Sequence, residues 1–311
     1  MTTLPLRRIL LLVASASLAP TLVACGGTSD EAVTEGQSDR LDDCPAAPVR
    51  VVASVDQWGS IANELGGDCV DVTTIITGTT ADPHDYEPSP SDLMAFGEAK
   101  VVIVNGVDYD HWATDALGNF DQQPVVVDAG DITGQTDGDD PHLWYSPQAV
   151  RSVSAAITAA FRTAAPDAGD YFAERASQWE SSLRPYDELI SRIASASPVS
   201  VAMTEPVFER MAEALGISDM TPAGFLDATR NEADPSPGDI AEFETILEDG
   251  LVDVLVVNTQ TGDPTTERLR STAESNDIAV VEVTETVPDG YSGFLEWQIH
   301  QLEALAREVR A

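Results

Sequence analysis

The sequence predicts an α/β protein of two lobes, each with a mainly parallel sheet flanked by helices, joined by one long helix. Three observations lead there. From Val49 onward, short runs rich in Val and Ile alternate with amphipathic segments, the pattern of strands buried on both faces by crossover helices. The alternation stops between Asp167 and Ser197, where Phe172, Ala176, Trp179, Leu183, Tyr186, Ile190 and Ile193 recur at spacings of three and four, which is helical. Strand candidates lie on both sides of that interruption, so a sheet is expected in each half.

The chain has 311 residues, and residues 1–25 read as an export signal. Arg7 and Arg8 precede the apolar run Ile9 to Ala19, which is too short to span a bilayer. Leu22-Val23-Ala24-Cys25 followed by Gly26-Gly27 resembles the lipobox of bacterial lipoproteins, in which the cysteine is lipidated and becomes the N-terminus. An ordinary secretory signal with an incidental cysteine is the alternative. Residues 26–46 are polar, acidic and too poor in apolar side chains to fold, so they read as a flexible tether. The N-terminal lobe is expected over 47–166, the linking helix over 167–197 and the C-terminal lobe over 198–311.

In the first lobe, strands are expected at Val49–Val55, Val70–Ile76, Val101–Asn105 and Val125–Asp128, with helices at Trp58–Leu65, Ser91–Ala99 and Pro147–Thr163. Cys44 and Cys69 each lie shortly before a strand. In an exported protein, parallel pairing of those strands would let the two form a disulfide. The linking helix should run about 40 Å for its roughly 28 residues, and Pro185 within it argues for a kink, with a break into two helices as the alternative. In the second lobe the strands are Val199–Met203, Val252–Asn258 and Ile278–Val283. Its helices are Pro206–Leu215, Pro237–Glu248, Thr265–Ser275 and Gly293–Val309. Ser89-Pro90, Ser146-Pro147 and Ser236-Pro237 each set a capping serine before a first-turn proline, and Ser89…Asp92 and Ser236…Asp239 have capping-box spacing.

The formal net charge is −37, from 53 acidic against 16 basic residues. Such a surface repels nucleic acid and anionic lipid. It singles out no metal site, because most of those carboxylates are solvated.

Two of the four histidines sit in the same tripeptide, Asp82-Pro83-His84 and Asp140-Pro141-His142. Imidazole is the commonest protein metal ligand, proline stiffens the loop that presents it, and the aspartate can hold the second ring nitrogen. Four candidate ligands follow strand ends: His84, His142, Glu205 and Glu285. In open parallel sheets that is where ligands bind, and two donors from each lobe put the site between them. Glu205 could instead cap the helix near Pro206, and Glu285 could be an exposed loop carboxylate, with Glu282 its nearest rival. His111 and His300 read as surface or packing residues.

The stretch from Gly78 through Asp82-Pro83-His84-Asp85-Tyr86 to Asp92 resembles the first metal motif of the solute-binding receptors of zinc and manganese ABC importers. Asp140-Pro141-His142-Leu143-Trp144 resembles the second, Thr204-Glu205-Pro206-Val207-Phe208 the third, and Val283-Thr284-Glu285-Thr286 falls where the fourth is expected. The resemblance implies a lipid-anchored, extracytoplasmic, monomeric receptor that passes one divalent ion to a membrane ABC permease, without catalysis. Zinc receptors usually have histidine at the Glu205 position and a His-rich loop before the second motif; here that loop, Thr133 to Asp140, is acidic. Two imidazoles and two carboxylates suit Mn²⁺ or Fe²⁺ and also bind Zn²⁺ well, and the expectation leans to manganese over zinc. A metal-dependent envelope hydrolase and a surface adhesin with a structural metal are the rival functions. The hydrolase would need a base and an open metal position, and the chain lacks His-Glu-x-x-His and Gly-x-Ser-x-Gly.

Overall fold

The computed structural model describes residues 44–78, 86–118, 123–196 and 198–311. The export signal, Cys25, nearly all of the tether and His84 lie outside the described residues. The first sheet holds β1 (Val49–Val55), β2 (Val70–Ile76), β3 (Val101–Val104) and β4 (Val125–Asp128), ordered β2-β1-β3-β4. The second holds β5 (Ser200–Met203), β6 (Ser218–Asp219), β7 (Val254–Asn258) and β8 (Ala279–Val283), ordered β6-β5-β7-β8. Every pairing is parallel, as the double-sided apolar runs predict.

The helices of the first half are α1 (Asp56–Gly66), α2 (Pro90–Glu98), α3 (His111–Leu117), α4 (Ala129–Thr133) and α5 (Pro147–Ala164). The bridging run comprises α6 (Gly169–Ser182) and α7 (Arg184–Ala194), and the second half has α8 (Glu209–Leu215), α9 (Ala223–Arg230), α10 (Pro237–Glu248), α11 (Pro264–Ser275) and α12 (Phe294–Glu308). Ser89 and Ser236 form capping boxes with Asp92 and Asp239, and Ser146 accepts from Ala149 N. The two segments of the bridging run meet at Leu183, which keeps helical dihedrals while Asp187 N still donates to its carbonyl. Pro185 two residues on has no N–H to donate, so the hydrogen-bond ladder is interrupted there and the run is divided into α6 and α7. No described helix is long and apolar enough to cross a membrane.

The second sheet is covered on both faces with period-two alternation. Val201, Met203, Val254, Val256, Val281 and Val283 join one large cluster with Trp297 and the side chains of the first sheet. Ala202, Leu255 and Val257 face a smaller cluster with Phe225, Phe243 and Leu269. The large cluster includes Phe172, Trp179, Leu183 and Tyr186 of the bridging run, so apolar packing is continuous from one sheet to the other.

Register explains the disulfide. Val49 pairs with Val70, which brings the chain ahead of β1 beside the residue ahead of β2, and Cys44 is bonded to Cys69 with Cα atoms 5.0 Å apart. It closes a loop with a sequence separation of 25, which on chain-entropy grounds is worth about 3 kcal/mol. Replacing both cysteines with serine is expected to lower unfolding stability by about that amount, measured by denaturant titration against the oxidised protein. Unchanged stability would show that the bridge constrains nothing.

Candidate metal centre

The carboxyl ends of the two sheets face each other, and the segment after β8 ties them together. Gln57 Nε2 donates to the Glu285 carbonyl at 2.6 Å, Val287 N donates to Asp56 Oδ1 at 3.0 Å and Thr286 Oγ1 donates to the Gly78 carbonyl at 2.8 Å. Asp56 also accepts from Gly78 N at 2.8 Å, and burial pushes its carboxyl up to about 6 against the pull of these bonds. Tyr145 reaches across to the Thr284 carbonyl and to Gln301 Oε1, at 2.7 and 2.9 Å.

His142 is buried and fixed from three sides. Its Nδ1 lies 2.6 Å from Asp140 Oδ1, which also accepts the His142 backbone N–H at 3.0 Å. Trp144 and Tyr109 meet the ring edge-on. Beneath it Asn105, at the end of β3, donates to the Pro141 carbonyl at 2.9 Å while Trp58 Nε1 holds the Asn105 amide oxygen at 3.0 Å. With Nδ1 committed, Nε2 is the free ligand nitrogen, and it points to Glu285 Oε2 at 4.0 Å. Two metal–donor bonds of about 2.0–2.2 Å each span such a gap. Burial lowers the affinity of the imidazole for a proton, but Asp140 outweighs it with help from Glu285 and Glu205, so its pKa is raised.

The two glutamates meet on one amide. Asn258 Nδ2, at the end of β7, lies 2.5 Å from Glu205 Oε2, 2.9 Å from Glu285 Oε1 and 3.1 Å from Thr261 Oγ1. Two amide protons face three acceptors, so this arrangement cannot satisfy all of them. Thr261 donates to the other Glu205 oxygen, and Tyr109 donates to Glu285 Oε2 at 3.2 Å. Burial pushes the Glu205 carboxyl up to about 7, the Glu285 charge adds to that, and the Thr261 and Asn258 bonds and His142 only partly oppose it. With both glutamates ionised, two carboxylates share a low-dielectric place, a repulsion that a cation would relieve.

Glu205 stands at the helix-cap position before Pro206 but makes no side-chain cap bond; its carboxylate turns to Asn258 and Thr261 instead. Glu285 is 6% exposed, unlike a loop carboxylate in water. Its rival Glu282 is exposed and paired with Arg270 at 2.7 Å. His111 is exposed beside Asp108, and His300 stacks edge-on against Tyr291. The structure thus brings His142, Glu205 and Glu285 to one place, and His84 lies outside the described residues. Among the described residues no three His, Cys, Asp or Glu side chains already converge on a single metal position, because Glu205 and Glu285 are turned onto Asn258. Asn258, Thr261 and Tyr109 escaped the sequence reading. The available signal was a polar residue closing an otherwise apolar strand, as Asn258 does.

Residues 51–308 match the zinc-uptake complex component A periplasmic family, ZnuA. The chain belongs to that family. It is 25% identical over 276 residues to the manganese-binding lipoprotein MntA of Halalkalibacterium halodurans, covering 86% of each. It is 22% identical over 254 residues to the high-affinity zinc uptake system protein ZnuA of Bacillus subtilis, covering 75% of this chain and 76% of that one. Among solved structures, the periplasmic zinc binding protein TroA from Treponema pallidum superposes with a TM-score of 0.72 at 15% identity, over 85% of this chain and 99% of that one, which shows the shared fold.

Proposed function

We propose that this protein is the extracytoplasmic receptor of a metal-importing ABC system, lipid-anchored through Cys25, which binds one divalent ion between its lobes and delivers it to the permease. The observation that carries the proposal is the approach of His142 Nε2 to Glu285 across the lobes, with Glu205 held beside it on Asn258. His84, from the matching Asp-Pro-His motif in the loop after β2, would complete a set of two imidazoles and two carboxylates. The ion is the cargo, and no catalytic step is assigned. The names of the relatives, one manganese-binding and one a zinc uptake protein, support a divalent ion. The carboxylate pair supports manganese ahead of zinc as the cargo, because hard cations prefer oxygen donors, although the affinity order alone favours zinc.

Metal titration of chelator-treated protein tests this. One Mn²⁺ or Zn²⁺ per chain is expected, with a rise in melting temperature, since an ion bound only by the folded state at a hundred times its dissociation constant adds about 2.7 kcal/mol. No binding at millimolar metal, or hydrolytic turnover by the loaded protein, would overturn the receptor reading.

A further inference from the structure

The loop that carries His142 is gripped from the opposite lobe. Arg210, on α8 beside the second sheet, places Nε 2.9 Å from Asp140 Oδ2, and its Nη2 donates to the Asp140 carbonyl. The same Nη2 donates to Gln135 Oε1 at 3.1 Å, on the acidic stretch before the second histidine motif. Side-chain exposure is 18% for Arg210 and 13% for Asp140, so water screens the pair little. The two oxygens of Asp140 are therefore divided: Oδ1 orients the His142 ring, and Oδ2 faces Arg210 Nε as an ion pair without hydrogen-bond alignment, the aligned bond being the one from Nη2 to the Asp140 carbonyl. A cavity of about 440 Å³ runs alongside, lined by Asp139, Glu209, Glu213 and Asp219 as well as by Arg210 and Asp140. Of the carboxylates along that cavity, Asp140 is the one that pairs with Arg210, once through its side chain and once through its backbone carbonyl, while Glu209 pairs with Arg230.

We propose that Arg210 is a positioning residue that makes coordination by His142 depend on contact between the lobes. Asp140 and His142 belong to the first lobe; the clamp on them belongs to the second. When the lobes are apposed, Arg210 fixes Asp140 and Asp140 fixes the imidazole with Nε2 toward Glu285. When the lobes part, the clamp leaves with α8, and the ring loses its orientation as the ion loses the donors of the second lobe. Separation of the lobes by a permease would then release metal in one step, through geometry alone. A lysine could not replace Arg210, since a single ammonium on a flexible stem cannot hold the carboxylate and the carbonyl together.

The inference rests on the receptor reading, and the experiment keeps the two apart. Wild type, Arg210→Ala, Arg210→Lys, Asp140→Asn and the Arg210→Ala/Asp140→Asn double variant are compared by chelator competition with Mn²⁺ and by the rate of Mn²⁺ loss to excess chelator. In the metal-free proteins, hydrogen exchange of the His142 amide, which donates to Asp140, is followed directly. Arg210→Ala is expected to weaken Mn²⁺ binding about tenfold, the scale of losing support to a metal ligand. The loss should fall on the dissociation rate, and exchange at His142 should speed up. The double variant should bind no worse than Asp140→Asn alone, because one chain of contacts is broken in both. Arg210→Lys should recover only part of the loss. Unchanged affinity in Arg210→Ala with only a lowered melting temperature, additive effects in the double variant, or full recovery by lysine would each overturn the proposal. If wild type itself binds no metal, the receptor reading fails, while the exchange measurement still decides whether Arg210 orders Asp140.

Discussion

His142→Ala is expected to fold and to lose more than about a hundredfold in affinity for Mn²⁺ and Zn²⁺ alike, beyond the 10–100-fold that removal of a ligand's supporting partner costs. The side chain is the meeting point of two lobes. Asp140 and Asn105 fix its loop, two aromatic rings fix its plane, and its free nitrogen faces Glu285 at 4.0 Å. Truncation removes the donor and leaves Asp140 held by Arg210 and by the backbone N–H of position 142, with a small cavity beside Trp144. That cavity costs about 1–3 kcal/mol, which the continuous core between the sheets can absorb, so circular dichroism should match wild type. Calorimetry in the presence of a competing chelator checks the affinity. Wild-type binding by the alanine variant would remove His142 from the centre.

The fold was legible because most of its strands are rich in Val and Ile and several of its helices announce their first turn. Ser89, Ser146 and Ser236 each cap the helix that their Ser-Pro step predicts, and capping boxes form with Asp92 and Asp239 at Ser89 and Ser236. What escaped was short or weakly patterned. The strand Ser218–Asp219 is two exposed residues on a sheet edge, with no alternation to read. The helix Ala223–Arg230 buries only Phe225 and Leu226. The segment expected to be one helix from Pro206 begins as a 3₁₀ turn through Phe208 before α8. At the site, the mounts of the candidate donors could be read from strand ends, a local property. The contacts that arrange them could not. Tyr109 meets Glu285 across 176 residues and Arg210 meets Asp140 across 70, and no periodicity encodes pairings that exist only once two sheets face each other. Asn258 lies between these cases: its place at the end of β7 is local, but its two glutamates come from the segments after β5 and β8.

Glu205→Gln is expected to raise the stability of the metal-free protein at pH 8 while weakening its metal binding. Burial, with the Glu285 charge, pushes this carboxyl from its ordinary 4.5 up to about 7 in the folded chain. The folded protein therefore holds a proton that the unfolded chain has released between those values. Its stability from this group is greatest below about 4.5 and falls as pH rises toward 7. Above that the buried carboxylate is a net cost, about 3 kcal/mol for the full shift. The neutral amide removes the cost but turns an N–H toward Asn258, so a gain of about 1–2 kcal/mol is expected at pH 8. The gain should shrink to near zero at pH 5. His142 is raised as well, mainly by Asp140, and moves both proteins nearly alike. Metal reverses the balance, because a cation must displace the proton and gains most from the charged oxygen. Wild-type affinity should then fall steeply from pH 8 to pH 6, with proton release on binding. Glu205→Gln should bind at least about tenfold more weakly at pH 8, the order seen for a disrupted metal site, and release fewer protons. Melting curves at pH 5 and 8 with and without Mn²⁺, and calorimetry in two buffers of different ionisation heat, measure each part. Parallel melting temperatures across that range would mean that the carboxyl is not raised, and equal affinity with equal proton release would mean that Glu205 does not touch the ion.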